Sequence, residues 1–438
     1  MSREMKHSGI EWIGDIPKEW EVRRIKSIFT ERTELSENGD ETLLSVSEYY
    51  GVANRKDKIE DGEFVSRAES LVGYKKCYEG DLVSNIMLAW KGSLGVTDID
   101  GIVSPAYCVY KPSKEIFPHY YHYLFRTSLF TSIFRLFSKG IIDSRLRLYS
   151  PYFYAISTLS PPLPEQQKIA DYLDKVCGEV DELVVLQEKM IEELKAYKQS
   201  VITEAVTKGL NPNAPMKDSG VDWIGEIPEH WNYIKLGLLF QFKGGYAFNS
   251  DKYVQNSNNQ VIRIGNVKNN LLLLDTSPVY VDDETAGIAK NYELKPGCIL
   301  FTMTGTKGKR DYFYTLLLKE SDFCKKLYLN QRVGCFIAKM DICPNYYNYL
   351  LKDNRILDQV FLYETGTANQ GNLGIESISR TMLHFPPIEE QQAIASYLDS
   401  KCSEIDALIA IKQQKIEELK DYKKSVIYEY VTGKKEVV

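Results

Sequence analysis

The chain has 438 residues, too many for one ordinary domain and enough for two cores with connectors. Hydrophobic residues make up 44% and charged residues 26%, the balance of a globular chain, and no apolar run is long enough to cross a bilayer. The net charge of −6 argues against a simple DNA-coating protein, but segments 161–210 (−4) and 386–438 (−2) hold all of it, so the rest is neutral on balance and free to carry a basic face.

The first nine residues are polar and lack a signal-peptide core. The eight cysteines form no CxxC pair, which points to reduced thiols and a cytoplasmic location. Cys177 and Cys402 read as small buried hydrophobes on helices.

The chain is written twice. Met5–Trp20 (MKHSGIEWIGDIPKEW) returns as Met216–Trp231 (MKDSGVDWIGEIPEHW). Pro161–Thr207 returns as Pro386–Thr432, and the two copies share more than half of their positions. The stretches between, 21–160 and 232–385, match in neither sequence nor length. Repeated parts do one job twice; unmatched parts do related but different jobs. The division expected is 1–160 and 211–385 as globular domains, with helices over 161–210 and 386–438.

In the first globular part, strands are expected at Leu43–Val46, Asp81–Val83 and Ile102–Val103, and an aromatic-rich amphipathic helix at Pro118–Phe137. Its Tyr and Phe residues read as core rather than as a base-stacking platform, and His119 and His122 as capping or core residues rather than metal ligands. A polar loop follows, with Lys139, Ser144, Arg145 and Arg147; Lys91 lies upstream. The long helix comes next. Val176, Val180, Leu183, Met190, Leu194, Tyr197 and Val201 recur at alternating spacings of three and four, the seam of a coiled coil, with Gln187 interrupting it and Val184 and Ile191 widening it.

The second globular part offers strands at Val261–Ile264, Cys298–Phe301 and Val333–Ala338 and a helix at Pro344–Leu362. Its polar candidates are Arg263, Asn266 and Lys268, the loop with Thr306, Lys307, Lys309 and Arg310, and the loop with Asn369, Gln370 and Asn372. Arg can bond guanine bidentately, Asn and Gln can bond adenine, and Lys holds phosphates, which is why these types in Gly-punctuated loops are read as contacts to double-stranded DNA. The repeated helix carries Ile405, Leu408, Leu419, Tyr422 and Val426, interrupted by Lys412 and Lys415. About 40 helical residues span about 60 Å. Two such helices in one chain are expected to pair antiparallel, relating the halves by a pseudo-twofold axis.

Catalytic patterns fail. The 303–310 loop has Met303 where a phosphate-binding loop needs Gly, and Arg310 where it needs Ser or Thr. Ser160-Pro161-Pro162 ends in Leu163, and Phe385-Pro386-Pro387 in Ile388, where an adenine methyltransferase needs an aromatic to stack the flipped base. The five histidines show no metal spacing. No catalytic, cofactor or metal residue is therefore assigned.

The duplicated Ser-Gly-x-x-Trp-Ile-Gly-x-Ile-Pro-x-x-Trp starts, the Pro-Pro-x-x-Glu-Gln-Gln helix openings and the Ile-Glu-Glu-Leu-Lys-x-Tyr-Lys cores resemble specificity subunits of Type I restriction–modification systems. The resemblance covers the full length. It implies an α+β fold of two globular α/β target-recognition domains joined by an intramolecular antiparallel coiled coil. Each domain would read one part of a split, asymmetric site. Two methyltransferase subunits would dock on the helices and bring S-adenosylmethionine; restriction subunits would join with ATP and Mg. A coiled-coil scaffold for protein partners is the alternative reading.

Overall fold

The computed structural model describes residues 3–58, 70–367 and 369–437. The chain forms two compact units: Met1–Lys189 with Gln413–Val438, and Met190–Lys412. Long helices run over Leu163–Lys208 and Ile388–Val431, so each unit contains a stretch of both.

The first unit is built on a four-stranded antiparallel sheet, in the order Phe29–Arg32, Cys108–Pro112, Leu82–Ser84, Leu94–Val96. Glu21–Arg24 pairs with Ser157–Ser160, which brings the end of the globular part back to its start, directly before the first long helix. The second unit repeats this plan with little shared sequence, although Pro118–Leu124 (PHYYHYL) returns as Pro344–Leu350 (PNYYNYL), a match inside the stretches expected to differ. Its sheet runs Phe240–Gly244, Val333–Ala338, Ile299–Thr302, Thr315–Leu317, and Asn232–Lys235 pairs with Met382–Phe385. It adds a mixed sheet in which Asn259–Ile262 and Lys326–Leu329 are parallel.

The expected strands appear within one or two residues, except that Ile264 opens a 3₁₀ turn. The two expected aromatic helices are each broken in two. Thr127 accepts from the Phe130 amide and starts a second helix at Ser128; Asp353 accepts from the Arg355 amide and starts one at Asn354. A side chain that caps a new helix competes with continuation of the old one, a local choice that apolar periodicity does not reveal. The aromatics are core: Tyr120, Tyr121, Phe125, Phe130, Phe134, Tyr346 and Tyr347 are fully buried. His122 is half-buried rather than core; its Nδ1 accepts from the Val96 amide, and desolvation lowers its pKa to about 3.

Each core extends onto both long helices. In the first unit it takes in Ile169 and Leu173 from one and Val426 and Val431 from the other. Tyr120 donates to the Val431 carbonyl at 2.7 Å, and Tyr123 to Asp174 at 2.6 Å. In the second unit Tyr346 donates to the Val206 carbonyl at 3.0 Å, and Tyr349 to Asp399 at 2.7 Å. Within each unit the helices are antiparallel. Tyr172 meets Tyr430 with ring centroids 4.5 Å apart while Asp181 binds Lys423 at 2.7 Å, and Lys198 binds Asp406 at 2.7 Å in the other unit.

The seam differs from its expected register. The covered stripe on the first helix is Cys177, Val180, Val184, Gln187, Ile191, Leu194, Lys198 and Val201, and on the second Cys402, Ile405, Ile409, Lys412, Ile416, Leu419, Lys423 and Val426. Val180, Leu194, Val201, Ile405, Leu419 and Val426 lie on it as expected. Val176, Leu183, Met190, Tyr197, Leu408 and Tyr422 sit one residue short of it, and Leu183, Tyr197, Leu408 and Tyr422 are 45–58% exposed. Gln187 and Lys412 are members of the stripe rather than breaks in it. Spacings of three and four fit two neighbouring stripes equally well here, and only packing decides between them.

The second unit buries a costly group. His384 is 1% exposed, and among the described residues neither ring nitrogen finds a hydrogen-bond partner. Burial first, then Arg355, lowers its pKa to about 4. The folded form therefore stays neutral while the unfolded side chain takes up a proton below its ordinary pKa near 6.5, so stability is lost as pH falls from there towards 4. Leu159 holds the matching place in the first unit. His384→Leu is expected to remove roughly 2 kcal/mol of the stability lost between pH 7 and pH 5. Urea unfolding at both pH values measures this, and an unchanged pH slope would refute it.

Candidate nucleic-acid interface

The repeated blocks build a latch at each unit. Trp20 is fully buried and its indole N–H donates to Glu165 at 2.9 Å; Trp231 does the same to Glu390 at 2.7 Å. Each Trp thus ties a repeated start to the first turn of a long helix. The next residue finishes the junction: Gln166 accepts from the Phe117 amide and donates to the Pro161 carbonyl, and Gln391 accepts from the Cys343 amide and donates to the Pro386 carbonyl. These are the jobs of the repeated Glu-Gln pair, which residue type alone does not reveal.

With the constant parts accounted for, the unmatched loops remain as the variable chemistry. In the first unit the 139–147 loop is a closed hairpin. Lys139 and Arg147 exchange both backbone hydrogen bonds at 2.9 Å, and Arg145 N–H donates to the Ile142 carbonyl. Gly140 has φ +150, and a Cβ there would lie 2.5 Å from the Arg145 carbonyl oxygen, so the turn requires glycine. Lys139 lies over the Tyr152 ring at 4.6 Å. Arg147 donates to the Ser144 and Leu146 carbonyls, stiffening the loop, and Arg145 and Ser144 are exposed. Arg135 pairs with Asp143 at 2.7 Å and also packs on Trp90, the ring that Lys91 covers at 5.3 Å. Lys91 and the hairpin residues, 48 or more positions apart in sequence, are thereby joined in one basic patch. Among the described residues Lys91, Lys139, Arg145 and Arg147 form no ion pair.

In the second unit two loops far apart in sequence become one structure. Thr304–Gly305 pairs with Gln370–Asn372, which pairs with Thr365–Thr367. Gly366 matches Gly140: φ is +120, and a Cβ would lie 2.0 Å from the Gln370 carbonyl oxygen. Lys307 Nζ donates to the Gly366 carbonyl at 3.1 Å. Lys309, Asn369 and Gln370 are exposed, and Asn372 is half-buried. Arg310 is exposed but paired with Asp358 at 2.6 Å. Thr306 is committed to shaping the loop: its hydroxyl and amide both donate to Asp311 at 2.7 Å, bonds that hold that carboxyl below its usual range.

Three candidates lie apart from this sheet. Asn266 is 1% exposed and spends its side chain on the Arg263 amide and the Leu273 and Thr276 carbonyls, so it is a structural residue and cannot touch a groove. Arg263 is half-buried and clamps the Ser277 carbonyl at 2.8 Å. Lys268 is exposed in its own two-stranded hairpin. The Asn266 assignment failed because Asn suits a loop-closing role and a base contact equally well. Among the described residues no group of three or more His, Cys, Asp or Glu could hold a metal ion, and no helix is long and apolar enough to cross a membrane.

Two units of one plan, each latched to the same pair of helices and each ending in a different polar hairpin, define a two-site recognition protein. Residues 17–196 and 228–421 match the family model described as Type I restriction modification DNA specificity domain, and the chain belongs to that family. Among curated proteins it is 26% identical to the Type I restriction enzyme MjaVIII specificity subunit of Methanocaldococcus jannaschii, over 96% of this chain and 93% of that one. It is 20% identical to the EcoKI specificity subunit of Escherichia coli K12, over 90% and 84%. Two solved structures share the fold. One chain, from work on complex assembly and conformational transition of the type I R-M system, is 15% identical with a TM-score of 0.69, covering 95% of this chain and 98% of that one. The HsdS subunit from Thermoanaerobacter tengcongensis is 16% identical with a TM-score of 0.52 and the same coverage.

Proposed function

We propose that this chain is the DNA specificity subunit of a Type I restriction–modification complex. It reads a bipartite, asymmetric site in double-stranded DNA, one half per unit, and leaves catalysis to its partners. The observation that carries this reading is the contrast between identical anchoring and unlike hairpins. Trp–Glu, Tyr–Asp and Tyr–carbonyl contacts recur in both units, whereas the tip is Ile-Ile-Asp-Ser-Arg at 141–145 and contains Asn-Gln at 369–370. Two differing readers recognise two differing half-sites.

The helices offer matching surfaces for two copies of a methyltransferase subunit. Leu183, Leu186 and Tyr422 are exposed in the first unit, and the repeat-equivalent Leu408, Ile411 and Tyr197 in the second. Apolar residues left uncovered at equivalent repeat positions suit two copies of one partner. Those subunits would bring S-adenosylmethionine, and restriction subunits ATP and Mg. The protein would act in the cytoplasm, where the chromosome and these cofactors are.

Methylome sequencing of cells co-expressing this chain with its methyltransferase, against the methyltransferase alone, tests the reading. A new split motif that depends on the chain is expected. Arg145→Ala is expected to relax or weaken one half of that motif, and Gln370→Ala the other, by about tenfold or more for a residue that bonds a base edge. A stable complex that adds no motif would favour the scaffold reading.

A further inference from the structure

The 139–147 hairpin has a feature that phosphate binding does not use. At its tip Ile141 is 100% exposed and Ile142 54% exposed. The tip is held, not loose: the Lys139–Arg147 backbone pair, the Gly140 turn and the Arg135–Asp143 ion pair all brace it. Lys139, Arg145 and Arg147 belong to the same hairpin, and Arg135 pairs with Asp143, the one carboxylate in the loop. A braced apolar tip on a cationic hairpin fits a polyanion that presents a small apolar feature between its phosphates.

On double-stranded DNA that feature is the 5-methyl group of thymine, which projects into the major groove and distinguishes an A·T pair from the other three arrangements. The matching tip in the second unit carries Thr367, Asn369 and Gln370, which suit hydrogen-bonding base edges instead. We propose that Ile141 is a specificity-determining residue that packs on a thymine methyl in the half-site read by the first unit. The proposal rests on the DNA-reading function above and adds to it the chemical feature that one side chain recognises.

The test uses the purified complex of this chain with its methyltransferase subunits and duplexes carrying the recognised site. Thymines in both halves are replaced one at a time by deoxyuridine, which lacks only the methyl group. Loss of one buried methyl contact corresponds to roughly a fourfold loss of affinity. The wild-type complex should show that loss at one thymine, or at two adjacent ones. Ile141→Ala should bind thymine and uracil there equally, with discrimination elsewhere unchanged, and Ile141→Val should retain most of the difference. The proposal is overturned if Ile141→Ala keeps every thymine–uracil difference of the wild type, or if the half-site weakened by Arg145→Ala contains no A·T pair. It is also overturned if the variant reduces DNA bending without altering that discrimination, the mark of a wedge between bases. A wild-type complex with no sequence preference would instead remove the underlying reading, an outcome distinguishable from these because no half-site would exist to compare.

Discussion

Trp231→Ala is expected to destabilise the second unit by about 3–5 kcal/mol, the cost of emptying a large buried aromatic site. The ring is fully buried and lies against His384 at 6.2 Å between centroids. Gly209, just past the first long helix, leaves room for it: a Cβ on that glycine would sit 3.2 Å from the ring. The indole N–H satisfies Glu390 at the start of the other long helix. One side chain therefore joins the repeated start, the end of one helix and the beginning of the other. Trp231→Phe should recover most of the packing and lose the hydrogen bond, costing about 1–3 kcal/mol because the partner is charged. Trp20→Ala should behave alike in the first unit, where Gly433 approaches the ring to 3.1 Å by the same measure and Glu165 accepts the N–H. Chemical unfolding with a probe in each unit checks this. Either variant should lower the midpoint of its own unit first. A loss below 1 kcal/mol for Trp231→Ala would mean that the repeated Trp serves something other than the latch.

The latch also marks the limit of what could be read from residues alone. Two copies of Ile-Pro-x-x-Trp and of Glu-Gln-Gln announce a shared task, but they lie 145 residues apart in the first half, and nothing local says that Trp20 and Glu165 meet. The plan of the variable parts was legible as strands and helices because short apolar runs and turn residues act locally. That both parts carry the same four-stranded sheet was not, because the strands share no pattern; the trace of equivalence lies instead in Pro118–Leu124 (PHYYHYL) and Pro344–Leu350 (PNYYNYL). The candidate site shows the same division. Gly140 and Gly366 were visible as loop glycines, and their shared positive φ is what makes the two hairpins equivalent. The pairing of Thr304–Gly305 with Gln370–Asn372, by contrast, joins segments 65 residues apart through backbone bonds that no local pattern announces.

Lengthening both long helices by one heptad is expected to widen the gap in the recognised site without changing either half. The covered stripes repeat every seven residues through the middle of both helices, by way of Gln187 and Ile191 on one and Lys412 and Ile416 on the other. Duplicating residues 188–194 together with 413–419 adds a full period to each and leaves every flanking residue in its present seam position. Seven residues add about 10 Å of helix, which corresponds to about three base pairs of duplex. Methylome sequencing should then return the same two half-sites with a longer gap. Adding one residue to each helix is the opposing case. It turns everything beyond it by about 100°, so the flanking halves of a stripe no longer share a face. The Asp181–Lys423 pair fixes the facing of the two helices in one unit, and the Lys198–Asp406 pair in the other. That variant should fail to assemble or methylate. If the heptad variant methylated with the original gap, the helices would not set the spacing. If the one-residue variant worked as well as the heptad variant, the covered stripes would not be what holds the helices.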